Sequence, residues 1–435
     1  MLAADDARTL LAVDAGTSMG ELLRRYWMPI VAVSELDDRP IRPVRVLGED
    51  LVLYRTRAGA LGLIARYCQH RGFDLAYGTV EEQGLRCSYH GWLYDPAGRC
   101  LEQPYESRAN PGSTFKDRIR APSYPVIEKA GLVWAYLGPE PAPLLPDWAG
   151  FHTPGYTLIA FAEIGASWVQ IMEGFYDPVH IEWLHDRWSY RLSGAEVPPS
   201  RPRHTAFRWH DFDYGVVFQR QLEGSDRWLA DRTIVFPNVD AAAGQGSYLS
   251  WYVPIDDRNT LAVFWLTFTS WNSPRGRVLV PPDPELVQDR IPAYRVTATA
   301  TPGTELGTHL ISQDFVAWMG PGAQVDRTKE HLGESDRGVI MFRKQLFEQA
   351  RIASQGRDPL GVIRDPAVNQ RIMLPGPRAN YGKQREGFPG MVGDKDPLVA
   401  MFLPFEPPQA IQDELERVMP SLVAGLRPNW WRRRT

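Results

Sequence analysis

The sequence predicts an α+β protein, with a small β domain near the N-terminus and a larger domain whose antiparallel β-sheet is covered by helices. Three observations carry this expectation. Short β-rich segments crowd the first third of the chain. Residues 138–146 (GPEPAPLLP) then hold four prolines and cannot continue a sheet. Beyond them, long strand candidates joined by short turns are followed by stretches of helical period.

In chain order, residues 19–27 (MGELLRRYW) are amphipathic and predict a short helix, so 1–27 reads as an N-terminal helical segment. Segments 44–47, 51–55 and 61–65 are β-rich and separated by charged or glycine-bearing turns, and 131–137 (GLVWAYL) has the pattern of a buried strand. Residues 28–140 therefore form the small β domain, and 155–435 the larger one. The larger domain opens with a helical stretch at 166–185, followed by strands near 206–222, 229–236, 247–253 and 260–271. Helical periodicity at 335–354 and 408–426 supplies the covering layer. The Pro/Gly-rich region 272–307 has weak periodicity and reads as a loop or lid.

A formal net charge of −4 over 435 residues gives no basic field to attract nucleic acid or anionic membrane. No apolar run approaches the roughly 18 residues that a membrane helix needs, and the acidic start is the wrong sign for a signal peptide. A cytoplasmic protein is expected. The pair Arg24-Arg25 resembles a twin-arginine export signal, but the apolar run after it, 28–33, is short and stops at Ser34 and Glu35. With only three cysteines, a disulfide framework does not hold this fold, and their placement becomes informative.

Cys68-Gln69-His70 is followed by Cys87-Ser88-Tyr89-His90, so each of two turns offers one thiol and one imidazole. Glycines at 72 and 91 let backbone amides approach a bound cluster's sulfurs. The pattern matches a Rieske [2Fe-2S] centre, in which two histidines replace two cysteines on one iron. A structural zinc site uses the same donors but pairs cysteine with cysteine and histidine with histidine. Cys100 has no histidine at matching spacing and reads as a small core residue.

The segment WVQIMEGFYDPVHIEWLH, 168–185, concentrates Glu173, Asp177, His180 and His185 on one expected helix. Asp177 and His180 share a face. His180 and His185 are about 140° apart on a regular helix and reach one metal only if it loosens, so a π-bulge near Pro178 is expected. Two imidazoles and one carboxylate with open positions make the facial triad of non-heme Fe(II) enzymes that activate O₂. Asp314, in ISQDFVAW, is the best carboxylate candidate, which leaves Asp177 to orient His180. Phe175, Trp183, Trp188 and Tyr190 can wall an apolar pocket, and Arg187 and Arg191 can pair a substrate carboxylate. Each is also compatible with plain packing or solvation.

Together, MGELLRRYWMPI, CQHRGFDLAYG, CSYHGWLYD, QDFVAW and DRTKEHLGESDRGV resemble the Rieske non-heme iron oxygenases, and more narrowly the oxygenase (alpha) subunits similar to phthalate dioxygenase and related aromatic O-demethylases. The resemblance implies an N-terminal Rieske domain and a C-terminal catalytic domain. It implies a terminal oxygenase that activates O₂ at a mononuclear Fe(II), with electrons relayed through the cluster, to hydroxylate, dihydroxylate or O-demethylate an aromatic acid or methoxylated aromatic. It makes Asp177 the bridging carboxylate of the family's E-N-x-x-D-x-x-H pattern, partnered by His90 of a neighbouring subunit in a homotrimer or a multiple of one. The sequence has no G-x-G-x-x-G fingerprint, so a separate flavin/iron–sulfur reductase or ferredoxin is implied, with NAD(P)H used only indirectly. Three positions depart from the pattern: Gly174 stands where asparagine is usual, Gln69 where proline is, and Trp318 where many relatives carry glutamate. Two other readings stay open at this point, a Rieske electron-transfer protein without oxygenase activity and a colourless zinc-stabilised binding module.

Overall fold

The computed structural model describes residues 2–153, 155–185, 203–241, 248–268, 288–299, 310–375 and 408–418. They fall into two compact units. One comprises Ala12–Pro143 with the short segment Val253–Asp257, and the other Met1–Leu11, Leu144–Tyr252 and Arg258–Thr435.

The first unit is built from eleven short strands: β1 (Met28–Ala32), β2 (Ile41–Val46), β3 (Glu49–Arg55), β4 (Leu61–Ala65), β5 (Thr79–Val80), β6 (Leu85–Arg86), β7 (Leu93–Tyr94), β8 (Cys100–Glu102), β9 (Ser123–Tyr124), β10 (Val126–Lys129) and β11 (Leu132–Ala135). They make three small sheets, ordered β1-β11-β10, β2-β3-β4-β9 and β5-β6-β7-β8. Two of the hairpins close through two-residue turns with both φ angles positive, Leu47-Gly48 at 50° and 78° and Ala130-Gly131 at 54° and 76°. That geometry matches the right-handed twist of the strands it joins. The core gathers Val52, Tyr54, Ile64, Leu75, Leu85, Trp92 and Tyr94 around the buried thiols of Cys68, Cys87 and Cys100.

The expected opening helix is shorter than the amphipathic pattern suggests, Ser18–Leu23, with Thr17 accepting from the Gly20 amide as its cap. A second helix, Ala4–Leu11, was not anticipated. Arg24 ends the helix because its guanidinium turns inward. It donates to the carbonyls of Val13, Gly20 and Leu47 and to Glu49, and is 4% exposed. One half of the twin-arginine pair is thus a structural residue.

The second unit carries an eight-stranded sheet of β12 (Tyr156–Ile164), β13 (His204–Phe212), β14 (Gly215–Leu222), β15 (Leu229–Val235), β16 (Val239–Ala241), β17 (Tyr248–Pro254), β18 (Thr260–Phe268) and β19 (Ala293–Thr297), ordered β13-β14-β15-β16-β17-β18-β12-β19. Two expectations need correction here, and one strand was not anticipated. The stretch 206–222 is two strands, folded back after Phe212, which pairs with Gly215. The stretch 156–164 is a central strand, buried along almost its whole length, so it lacks the alternation that marks a half-exposed one. The supposed loop 272–307 contains β19, which pairs parallel with β12 from Ile159↔Ala293 onward. Five residues with one buried position are too few to show a period.

The helix Arg337–Ser354 buries Val339, Phe342, Leu346, Ala350 and Ala353 along one stripe. Its Phe342 stacks on Tyr176 at 4.4 Å between centroids, against the helix Trp168–Tyr176. The helix expected at 408–426 is described over Gln409–Val418. Among the described residues no helix is long and apolar enough to cross a membrane.

Candidate metal centres

In the first unit, the turns after Cys68 and Cys87 are built alike. The amide of Gly72 donates to the Cys68 carbonyl, and that of Gly91 to the Cys87 carbonyl. Gly72 and Gly91 sit at φ 69° and 75°, a conformation that side-chain-bearing residues rarely adopt. The turns bury both thiols and leave His70 and His90 exposed at the tip, their ring centroids 4.5 Å apart. Trp92 stacks on His70 at 4.6 Å. The Cys68 thiol is pulled down to about 6 by its hydrogen bond to Cys87, helped by the Tyr94 hydroxyl 3.3 Å away. That same bond, together with burial, pushes Cys87 up. Two converging thiols and two converging imidazoles fit the donor set of a Rieske cluster.

In the second unit, the helix that begins at Trp168 ends at Tyr176. Asp177 is extended, with φ −96° and ψ 109°, as the residue before a proline must be. One turn of helix, His180–Trp183, follows, and His185 lies past its end. The expected π-bulge is therefore a break at Asp177-Pro178, and this break together with the early end of the second helix lets two histidines five residues apart converge. Nitrogens of His180 and His185 and an oxygen of Asp314 lie within 4.8 Å of one another. Asp314, on the helix Leu310–Met319, places Oδ1 3.1 Å from His185 Nε2 and 3.8 Å from His180 Nε2.

The outer nitrogens are held as well. His180 Nδ1 lies 2.6 Å from the Asp177 carbonyl, and His185 Nδ1 2.8 Å from Gln313 Oε1. With each Nδ1–H donating outward, both Nε2 atoms face Asp314, His185 Nε2 within hydrogen-bonding distance of its carboxylate, and each can bind a metal once it carries no proton. The residues fit a two-histidine, one-carboxylate iron site.

A family model described as a Rieske [2Fe-2S] domain matches residues 26–125, and one described as LigXa C-terminal domain like matches 297–374. The chain is 44% identical to the 5,5'-dehydrodivanillate O-demethylase oxygenase subunit of Sphingobium sp., over 86% of this chain and 87% of that protein. The chain belongs to the Rieske non-heme iron oxygenases. The phenoxybenzoate dioxygenase subunit alpha of Ectopseudomonas oleovorans is 34% identical, over 81% of this chain and 87% of its own. The fold is shared with the terminal oxygenase of carbazole 1,9a-dioxygenase from Nocardioides aromaticivorans, at TM-score 0.55 and 17% identity over 80% of this chain and 99% of that one.

As an oxygenase subunit of this family, the protein is an oxidoreductase. Its cofactors are a Rieske [2Fe-2S] cluster and a mononuclear iron, and its electrons come from a separate protein. The pure electron-transfer and zinc-module readings are set aside.

Other residues fall differently from expectation. The Asp177 carbonyl, rather than its carboxylate, holds His180. The carboxylate accepts from the Val179 amide through Oδ1, leaves Oδ2 3.8 Å from His180 Nδ1, and stays 31% exposed. Phe175 is buried against Tyr252 and Trp318, whereas Trp183 is on the surface beneath the Arg203 guanidinium. Arg187, Trp188, Tyr190 and Arg191 lie outside the described residues.

Several neighbours of the site were missed from sequence. Gln313 is one. Another is Glu182, between the two histidines, whose Oε1 accepts from the backbone amide and Nδ1 of His204, while His204 Nε2 accepts from Arg220. This chain of bonds ties the short helix His180–Trp183 to strands β13 and β14. Glu173, which the sequence grouped with the histidines, is instead buried between Arg327 and Arg343. Arg232 lies with its guanidinium 4.9 Å over the Phe175 ring.

Burial opposes charge on His185, but the Asp314 carboxylate and Gln313 more than offset it and raise the imidazole above its ordinary 6.5. Burial likewise works against ionised Asp314, yet the two histidines hold its carboxyl below the usual carboxylate range. A proton therefore competes with metal at His185 starting above pH 6.5. Fe(II) affinity of the metal-free protein is expected to fall as pH drops through the raised titration range of His185. Equilibrium dialysis at stepped pH measures this, and a flat profile over that range would show that His185 is not a ligand.

Proposed function

We propose that this protein is the terminal oxygenase of a system that oxidises a carboxylated aromatic, with two linked rings as the preferred form, by O-demethylation or ring hydroxylation. The observation that carries the reading is the convergence of His180, His185 and Asp314 with both outer imidazole nitrogens tethered. In this reading Cys68, His70, Cys87 and His90 hold the cluster, and His180, His185 and Asp314 hold the iron. Residues 28–140 form the cluster domain and 155–435 the catalytic domain. When bound, the two groups supply stored electrons and O₂ activation.

The protein's own residues prepare that chemistry. Asp177 and Gln313 fix the imidazole tautomers, and Glu182 with His204 braces the short helix between the ligands. Phe175, Tyr252, Phe315 and Trp318 give an aromatic ring an apolar surface and exclude water. Arg232, over the Phe175 ring and 3.4 Å from Asp240 Oδ1, is the cation offered to a substrate carboxylate in this reading. The names of the two relatives support the substrate class, since dehydrodivanillate and phenoxybenzoate are both two-ring aromatic acids. The half-buried Asp177 carboxylate meets the partner subunit's His90 in a homotrimer, and the electron donor is a flavin/iron–sulfur reductase or ferredoxin. A cytoplasmic location completes the proposal.

Iron, acid-labile sulfide and reduced-state EPR test the centres together, with about three irons and two sulfides per chain expected. Supplied with a reductase, O₂ and 5,5'-dehydrodivanillate, the protein is expected to release formaldehyde if it demethylates, or a hydroxylated ring if it does not. Two irons per chain and no product from any two-ring acid would remove the oxygenase assignment. Zinc without sulfide would remove the cluster as well.

A further inference from the structure

Gly174 and Trp318, far apart in the sequence, meet in space. Gly174 lies in the helix Trp168–Tyr176, and a Cβ built on it would fall 2.7 Å from Trp318 Nε1 and 3.5 Å from Trp318 Cδ1. The approach to Nε1 is closer than non-bonded atoms come, so the indole occupies the volume that any side chain at 174 would need. Trp318 sits one helical turn after Asp314, on the same face. Its ring centroid lies 5.6 Å from Phe175 and 5.7 Å from both Tyr252 and Phe315. The backbone beneath it is pinned, because Gln170 Nε2 donates to the carbonyls of Trp318 and Gly322. The indole is therefore wedged between the two helices beside the metal ligands, with its position set by the absence of a side chain at 174.

We propose that Gly174 and Trp318 form a single specificity element, in which the indole seated over Gly174 makes one wall of the substrate pocket and sets the ring size the site accepts. This rests on the reading that an aromatic acid is the substrate. Trp318→Ala opens that wall. Gly174→Ala pushes the indole out of its seat, and the double variant relieves the clash.

The pair makes a prediction about sign. Alanine within a helix ordinarily stabilises relative to glycine. Gly174→Ala alone is therefore expected to lower the thermal midpoint, and the same change in a Trp318→Ala background to raise it, a coupling that a double-mutant cycle reads directly. Iron content of each variant is measured alongside. In the holoenzyme, equilibrium binding of vanillate and of 5,5'-dehydrodivanillate is compared across the wild type, Trp318→Phe, Trp318→Ala and the double variant. The ratio of two-ring to one-ring affinity is expected to rise about tenfold or more in Trp318→Ala and less in Trp318→Phe. An unchanged ratio in variants that keep their iron overturns the proposal, as does a Gly174→Ala effect of the same sign in both backgrounds. Wild-type protein that binds neither acid overturns the substrate reading first, and this inference with it.

Discussion

His180→Ala is expected to retain the colour and reduced-state EPR signal of the cluster while iron falls from about three to about two per chain, and turnover with any substrate drops by a thousandfold or more. The reason is geometric. His180 Nε2 faces Asp314 while its Nδ1 is held by the Asp177 carbonyl, so truncation takes one of three converging donors away. The proposed cluster ligands lie in the other compact unit. Iron and sulfide analysis with EPR checks the prediction. Loss of the cluster signal together with the mononuclear iron would mean that the two centres do not form independently.

Glu173→Ala carries the second large effect, on stability. Glu173 Oε1 accepts from Arg343 Nε at 2.7 Å and Arg327 Nε at 3.2 Å, and Oε2 accepts from Arg327 Nη2 at 2.8 Å. Glu330 takes the remaining edge of Arg343 at 2.7 and 3.0 Å. The Arg327 side chain is 0% exposed and that of Arg343 6%. Removing the carboxylate strands the buried Arg327 guanidinium and leaves Arg343 with Glu330 alone, at a cost of about 3–5 kcal/mol, which for a unit of this size lowers the thermal midpoint by roughly 10 °C. Calorimetry on the holoenzyme measures it. A shift below about 3 °C would show that solvent reaches the pair after the substitution.

What could be read from the sequence was whatever is encoded locally. The C-x-H and C-x-x-H turns are legible because each places its ligands within a few residues, and glycine at 72 and 91 marks the reversal. The hairpins of the first unit carry their own turn residues. His180 and His185 could be paired, but the way they converge was misread: Pro178 was the available signal, and its effect on Asp177 is a break in the helix, not a bulge. Gln313 could not be found, because its partner His185 is 128 residues away and glutamine beside aspartate carries no pattern. Glu173 did leave a clue, as a carboxylate within the apolar run WVQIMEGFY, where a charge stays buried only if something pairs it. The identity of that partner, Arg327 with Arg343, is a tertiary fact. Strand β12 was invisible for the opposite reason, being apolar on both faces.

The first unit is not one contiguous stretch of chain. The segment Val253–Asp257 returns to it more than a hundred residues later: the carbonyls of Pro254 and Ile255 accept from the Leu47 and Gly48 amides of the β2–β3 turn, and Asp257 accepts from the Val13 amide. During synthesis, that turn emerges long before its acceptors do, so the unit that carries the cluster turns cannot finish assembling until most of the large sheet has also left the ribosome. A gene fragment stopping at the proline-rich boundary would encode the strands and all four proposed cluster donors, yet leave these amides without their acceptors. Exchanging cluster units between relatives therefore requires transplanting two pieces of sequence, and the five-residue one is easily overlooked.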